Sequence, residues 1–138
     1  MRLGSPISVR LDKEVDRQVR GLARRTRRPL GRVINELIDR ALRMRRFPGL
    51  VFVDGPAGPV AHMAGTGLDV WEIVALVRAY GSADCLLEQF PQLPARAVQT
   101  ALAYAREYAE EVEEAIRENE RPVDEVIREF PFIQKASL

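Results

Sequence analysis

Ile7-Ser8-Val9-Arg10-Leu11 is the stretch that decides how the N-terminal part of the chain folds. Its apolar and polar side chains alternate, which is typical of a β-strand with one buried face. Two helical patterns follow up to Arg46, so this part of the chain offers no second strand to pair with. Its backbone N–H and C=O groups nevertheless need hydrogen-bond partners. We therefore expect the same strand of a second copy to pair with it, antiparallel across a two-fold axis.

This intermolecular two-stranded ribbon has an inner and an outer face. Ile7, Val9 and Leu11 are expected to point into a core shared by both copies, whereas Ser8 and Arg10 point outward. A two-stranded ribbon fits the major groove of DNA, where arginine is the commonest reader of guanine. Arg10 is therefore the residue of the ribbon that we most expect to contact DNA.

Two amphipathic helices follow the strand. Asp12 is the expected N-cap of the first, and Pro29 is expected to start the second, near its first position. The second helix runs to Arg46 and stops before Pro48. Helical spacing gives the two helices these apolar positions: Val15, Val19, Leu22, Val33, Ile34, Leu37, Ile38, Ala41 and Leu42.

The charge of the chain is divided unevenly along its length. Residues 1–46 hold 14 Lys and Arg against 5 Asp and Glu, whereas residues 47–138 hold 7 against 15. The net charges of +9 and −8 indicate nucleic acid as the partner of the basic part and another partner for the acidic part.

The single cysteine, Cys85, excludes an internal disulfide and suits a reducing cytoplasm. No apolar run reaches the roughly 20 residues of a membrane span.

These N-terminal features together resemble a ribbon-helix-helix DNA-binding domain. Members of this family are dimers that insert the ribbon into the major groove, and the resemblance places Pro6, Ser8 and Arg10 against the bases. It also places the N-terminus of the second helix against phosphate. Helix N-termini favour anions because their free backbone N–H groups and the helix dipole point at the ligand.

The turn between the two helices departs from the family pattern. The family commonly has a glycine there and a serine or threonine near the start of the second helix. Here the chain reads Arg27-Arg28-Pro29-Leu30-Gly31 instead. We expect backbone amides and Arg28 or Arg32 to make the phosphate contact in place of the hydroxyl.

After the basic part, the pattern predicts a short β-hairpin from Leu50–Val53 and Val60–Met63. Gly65-Thr66-Gly67 is then either a phosphate-binding turn or a plain turn. The absence of the complete spacing and of a lysine favours the plain turn. The sequence predicts a helix from Asp69 to Gly81.

Further helices are predicted beyond Gly81. Ser82 caps a short helix that reaches Phe90, and one long helix is predicted from Ala95 to about Glu118. These helices have helix-turn-helix spacing, which would present Arg96, Gln99 and Thr100 to DNA. The net charge of −8 favours the alternative, a packed helical core involved in dimer or toxin contact.

Several separated motifs between Pro48 and Glu118 resemble the bacterial domain-of-unknown-function family four-three-three. They are Asp54-Gly55-Pro56, Ala64-Gly65-Thr66-Gly67, Leu68-Asp69-Val70-Trp71, Phe90-Pro91-Gln92-Leu93 and Ala101-Leu102-Ala103-Tyr104. The resemblance implies a small helical domain related to winged-helix or homeodomain-like folds. It also implies an antitoxin of VapB type, which often occurs beside a PIN-like ribonuclease toxin.

The C-terminal tail, residues 121–138, follows an acidic helix and ends in a short apolar, aromatic-bearing segment, Pro131–Leu138. Such a segment either clasps a groove of a partner or folds back on its own domain or dimer mate. Antitoxins of this kind usually neutralise through C-terminal segments, which supports the partner, and by analogy Arg128 and Lys135 would reach the carboxylates of a nuclease site. The candidate toxin-binding residues are Ile127, Arg128, Phe130, Phe132, Ile133 and Lys135.

An enzyme is not expected, and neither is a metal or another cofactor. His62 is the only histidine, so neither a two-histidine metal site nor a histidine-based triad can form within one chain. Cys85 begins the apolar run Cys85-Leu86-Leu87 of a predicted helix and is interpreted as a small buried hydrophobe.

The sequence therefore predicts a mainly α chain of three parts. Residues 1–46 form the ribbon-helix-helix domain, residues 47–120 a helical domain with a short β-hairpin, and residues 121–138 the partner-binding tail. We expect a cytoplasmic antitoxin of a type II toxin–antitoxin pair, a homodimer or a higher oligomer. It would bind double-stranded operator DNA, repress its own promoter and neutralise a PIN-like ribonuclease. The alternatives are a stand-alone dimeric ribbon-helix-helix regulator and an interaction module that binds no specific DNA.

Overall fold

The computed structural model describes residues 2–120, which form six helices and one small antiparallel sheet. The chain divides into two compact units, one ending at Arg43 and one beginning at Met44. The structure is therefore mainly helical, as predicted. The elements are α1 (Lys13–Thr26), α2 (Leu30–Arg46), β1 (Leu50–Gly55), β2 (Gly58–Met63), β3 (Leu68–Asp69), α3 (Val70–Tyr80), α4 (Ala83–Gln89), α5 (Ala95–Glu107) and α6 (Ala109–Asn119).

The N-terminal unit has a small core formed by the facing sides of α1 and α2. Val19, Ala23 and Val33 are buried, and four further apolar side chains pack against them: Leu11, Leu22, Leu30 and Ile34. From residue 2 to the start of α1 the described chain has no secondary structure within one copy. Because the strand was expected to pair only with a second copy, the ribbon stays a prediction.

The turn between α1 and α2 is formed without glycine. Arg27 ends α1 in the left-handed conformation, with φ 53° and ψ 46°. The N–H of Arg28 donates to the carbonyl of Ala23 at 3.0 Å. The N–H of Val33 donates to the carbonyl of Pro29 at 3.1 Å, so Pro29 lies just before α2 rather than at its first position.

The predicted hairpin is present as β1 and β2, with Leu50 opposite Met63 and Gly55 opposite Gly58. The sequence prediction missed β3, which pairs with β2 and places Asp69 opposite His62. Its two residues are too few to give a periodic signal.

The glycine-rich turn between β2 and β3 is closed by its own threonine. The hydroxyl of Thr66 donates to the carbonyl of Met63 at 2.7 Å and accepts from the N–H of Leu68 at 3.0 Å. Gly65 and Gly67 have positive φ angles of 80° and 71°, a backbone conformation that residues other than glycine rarely adopt. These bonds give the turn a structural role in the small sheet.

The two helices that follow the sheet begin and end where the sequence predicts. Asp69 and Glu72 form a reciprocal capping box at the start of α3, and Gly81 ends that helix with φ 92°. The Ser82 hydroxyl accepts a hydrogen bond from the N–H of Cys85 at 3.1 Å and so caps α4. The prediction that Cys85 is buried is wrong, because its side chain lies on the exposed side of α4.

The prediction of one long helix from Ala95 to Glu118 is also wrong. The chain leaves helical geometry at Tyr108 (φ −114°, ψ 48°), which separates α5 from α6. The ring of Tyr108 lies against Tyr104 and Phe47, with centroids 4.7 Å and 6.3 Å apart. Both helices contribute to the core of the C-terminal unit. The buried residues of that core are Phe47, Leu50, Ala61, Met63, Val70, Ile73, Val74, Leu86, Val98, Ala101, Tyr104, Val112 and Ile116.

Within residues 2–120, none of the helices has the length and apolar character required to cross a membrane.

Candidate nucleic-acid interface

The residues predicted to face DNA bases lie in the segment before α1. Pro6, Ser8 and Arg10 are all exposed there. Within a single copy this segment has no sheet partner, so their side chains are accessible to a ligand. Contact with bases stays a prediction.

The alternating stretch also lines a groove of the N-terminal unit. Ile7, Val9, Arg10 and Leu11 line this groove of about 610 Å³ together with apolar residues of α2, among them Ile34. Arg10 thus lies beside the apolar side chains in one copy. The separation into an inner and an outer face requires the paired strand, and one copy alone does not produce it.

A single copy leaves much of the N-terminal apolar surface exposed. Ile7 is 84% exposed and Val9 is 69% exposed. The helices of this unit add four more exposed apolar side chains: Val15, Leu37, Ile38 and Leu42. Helix α1 therefore covers only part of the predicted apolar stripe of α2. Val33, near the start of the stripe, is buried, whereas the apolar side chains toward the C-terminal end of α2 are exposed. Large exposed apolar patches on soluble proteins generally mark interaction surfaces.

The two arginines predicted to contact phosphate converge on one carboxylate. Arg28, in the turn before α2, forms a hydrogen-bonded ion pair with Glu36. Arg32 Nε lies 3.7 Å from Glu36 Oε1, and Arg40 Nη2 lies 3.7 Å from Glu36 Oε2. The structure thus brings Arg28 and Arg32 together, and it adds Arg40 and Glu36, which the sequence prediction did not include. Spacings of four residues along α2 were the available signal for Arg32 and Arg40.

The charge states in this cluster follow from the ion pair. The hydrogen bond from Arg28 lowers the pKa of Glu36 below its ordinary value, and burial opposes that shift only partly. The same hydrogen bond raises the pKa of Arg28. Glu36 is therefore a carboxylate at neutral pH, and the cluster of three arginines and one glutamate carries an excess of two positive charges.

Other carboxylates of this unit also pair along their own helices. Arg20 Nε lies 2.9 Å from Asp16 on α1, and Arg43 Nη2 lies 3.0 Å from Asp39 on α2. These pairs do not remove the excess of basic groups, because residues 1–46 carry a net charge of +9. Such an excess favours binding to a polyanion.

The second candidate for DNA contact lies in the C-terminal unit. Arg96 and Gln99 of α5 are exposed and Thr100 is half-buried, as a helix-turn-helix would require. In the same unit, Arg78 pairs with Glu113 of α6, and that hydrogen bond raises the pKa of Arg78. The geometry leaves both interpretations of α5 open, and the acidic charge still favours a packed core.

Sequence reasoning missed a polar cluster at the sheet. His62 Nδ1 lies 2.8 Å from Asp69 Oδ1, and the indole N–H of Trp71 donates to Asp69 Oδ2 at 3.2 Å. This contact depends on β3, so no local pattern of the sequence could indicate it. In the part of the chain that the structure describes, no group of three or more His, Cys, Asp or Glu could hold a metal ion.

The predicted toxin-binding residues of the tail lie outside the described residues. They are Ile127, Arg128, Phe130, Phe132, Ile133 and Lys135.

Comparison with known proteins adds one match. A family model described as "Protein of unknown function (DUF433)" matches residues 57–105, about a third of the 138 residues. This match supports the resemblance proposed for that segment, from β2 to most of α5. No curated protein and no solved structure matches the chain. The ribbon-helix-helix assignment of the N-terminal unit stays a prediction.

Proposed function

We propose that this chain is the cytoplasmic antitoxin of a type II toxin–antitoxin pair and that it binds operator DNA as a homodimer. The observation that carries the DNA-binding part is the N-terminal unit itself. It combines 12 Lys and Arg against 5 Asp and Glu in residues 1–43, a net charge of +7, with apolar side chains, Ile7 and Val9, that one copy leaves exposed. Pairing of two copies would bury these side chains and bring both sets of arginines to one DNA site.

In the proposed dimer, the ribbon lies in the major groove with Arg10 toward the bases, and Pro6 and Ser8 lie beside it. Arg28 and Arg32, at the start of α2, contact the phosphates that flank the ribbon. Base contacts give specificity, whereas phosphate contacts position the protein and make binding salt-dependent.

The antitoxin part of the proposal is supported by the family resemblance at residues 57–105 and by the separate acidic charge of residues 47–138. In this proposal the C-terminal unit carries the tail to a PIN-like ribonuclease toxin, and the same dimer represses its own promoter.

A stand-alone dimeric regulator is the second candidate. It is favoured by the fact that most of the basic residues lie in a compact unit of their own, which could carry a DNA site without the acidic part.

One experiment separates these candidates. The full chain is co-expressed with the neighbouring gene product, and the complex is purified on a tag carried only by that partner. Co-purification, with ribonuclease activity that appears only when this chain is removed, supports the antitoxin. If the chain does not co-purify but the dimer binds its promoter fragment, the regulator is correct. If the purified chain shows no preference for that fragment at any salt concentration, both DNA-binding proposals fail.

A further inference from the structure

We infer that Glu36 limits how strongly the N-terminal unit binds the DNA backbone. Its carboxylate occupies Arg28, and a phosphate must replace that carboxylate to bind the guanidinium. This inference rests on the proposed DNA-binding function. In it, an acidic residue of a basic surface affects DNA binding through Arg28 and does not itself contact DNA.

The carboxylate is less exposed than the arginines that would contact phosphate. The Glu36 side chain is 22% exposed, whereas Arg28 is 37% exposed and Arg32 is 72% exposed. Arg28 reaches Glu36 from the α1–α2 turn, eight residues earlier in the sequence. A phosphate arriving from solvent can therefore reach these two arginines more readily than it can reach the carboxylate.

Carboxylate and phosphate compete for the same donors. A guanidinium group presents its N–H groups as a planar fork that fits either anion. An ion pair as exposed as this one contributes only about 0–1 kcal/mol, so a phosphate can displace it. Each phosphate that the protein neutralises lowers the slope of log K against log salt by about 0.9. In the wild-type chain Arg28 must give up its contact with Glu36 before it can bind a phosphate. The loss of that contact reduces what Arg28 contributes to the affinity for DNA.

Asp39 provides a matched control on the same helix. It forms an ion pair with Arg43 at 3.0 Å, again with a spacing of four residues. The Arg43 side chain is only 17% exposed, so it is much less accessible to phosphate than Arg28. Asp39→Asn therefore removes the same formal charge from α2 without releasing an exposed arginine.

The test compares full-length wild type, Glu36→Gln and Asp39→Asn on two duplexes of equal length, the chain's own promoter fragment and a random sequence. Affinity is measured by fluorescence anisotropy over a salt series. We expect Glu36→Gln to bind both duplexes about two- to fivefold more tightly, because phosphate contacts carry no sequence information. Its salt slope should stay close to that of the wild type, because Arg28 contacts the phosphate in both proteins and only the cost of displacing Glu36 is removed. Asp39→Asn should follow the wild type.

Two further variants keep the inference falsifiable. Glu36→Asp withdraws the carboxylate by one methylene at constant charge, so a smaller gain of the same sign is expected even if Glu36→Gln fails to fold. Adding Arg28→Ala to Glu36→Gln should abolish the gain.

Unchanged or weaker binding by Glu36→Gln, an equal gain by Asp39→Asn, or a gain that survives Arg28→Ala would each overturn the inference. If the wild type binds neither duplex, the proposed function fails instead. The two failures are therefore distinguishable.

Discussion

Truncation of Ile7 gives the sharpest test of the shared apolar core. Ile7→Ala removes three carbon groups, each worth about 0.8 kcal/mol when buried. Since Ile7 is 84% exposed in one copy, nearly all of that burial would come from dimerisation. The loss is about 2 kcal/mol per chain and about 4 kcal/mol per dimer, which weakens the dimer roughly a thousandfold.

Leu3 is a matched control for this prediction. It is 86% exposed, almost the same as Ile7, but it lies outside the alternating stretch. Leu3→Ala should therefore leave the dimer dissociation constant unchanged. Sedimentation equilibrium over a wide concentration range measures the constant for both variants and the wild type.

The same pair of variants can refute the reasoning. An exposed side chain that stays exposed contributes less than about 0.5 kcal/mol when it is truncated. If Ile7→Ala and Leu3→Ala both associate like the wild type, Ile7 is not buried between copies. The intermolecular ribbon would then be wrong.

Three other perturbations have expected outcomes. Arg10→Ala should weaken binding to the promoter fragment by about 1–3 kcal/mol with the dimer intact, as measured by anisotropy; an equal loss on random DNA would mean a phosphate contact only. The pKa of Glu36 is lowered from its ordinary value of 4.5, so its ion pair stabilises the fold above that pH and the stabilisation disappears as pH falls through the folded pKa. The melting temperature of the wild type should accordingly fall faster in acid than that of Glu36→Gln, and parallel curves would contradict this. Tyr104→Phe removes a buried hydroxyl that donates to Glu111, and thermal unfolding should show a loss of about 1–2 kcal/mol; an unchanged melting temperature would mean that the bond contributes nothing.

Local signals in the sequence were sufficient for most of the elements. The capping residues Asp69 and Ser82 and the helix end at Gly81 lie next to the elements that they delimit, so the bounds of α3 and α4 follow from short windows. The hairpin of β1 and β2 likewise follows from two apolar runs and a loop.

Contacts between distant residues explain what the sequence did not indicate. Tyr108 interrupts the predicted helix where its ring meets Phe47, which lies 61 positions earlier. The pairing of Asp69 with His62 requires β3. Arg28 lies in the loop before α2 and Glu36 lies within that helix, eight residues later. A spacing of four residues along one helix therefore does not indicate this pair. At the candidate interface, the arginines were predicted from charge and family pattern, whereas the carboxylate that constrains them was not.

The left-handed Arg27 has a consequence for how this chain can change. A non-glycine residue costs roughly 1–2 kcal/mol in that conformation, and glycine at the same helix end would avoid most of that cost. Arg27→Gly should therefore stabilise the turn, and thermal unfolding measures the gain. The same substitution removes one of the 14 basic residues among residues 1–46. Stability of the turn and positive charge in this part of the chain are thus alternatives at this position.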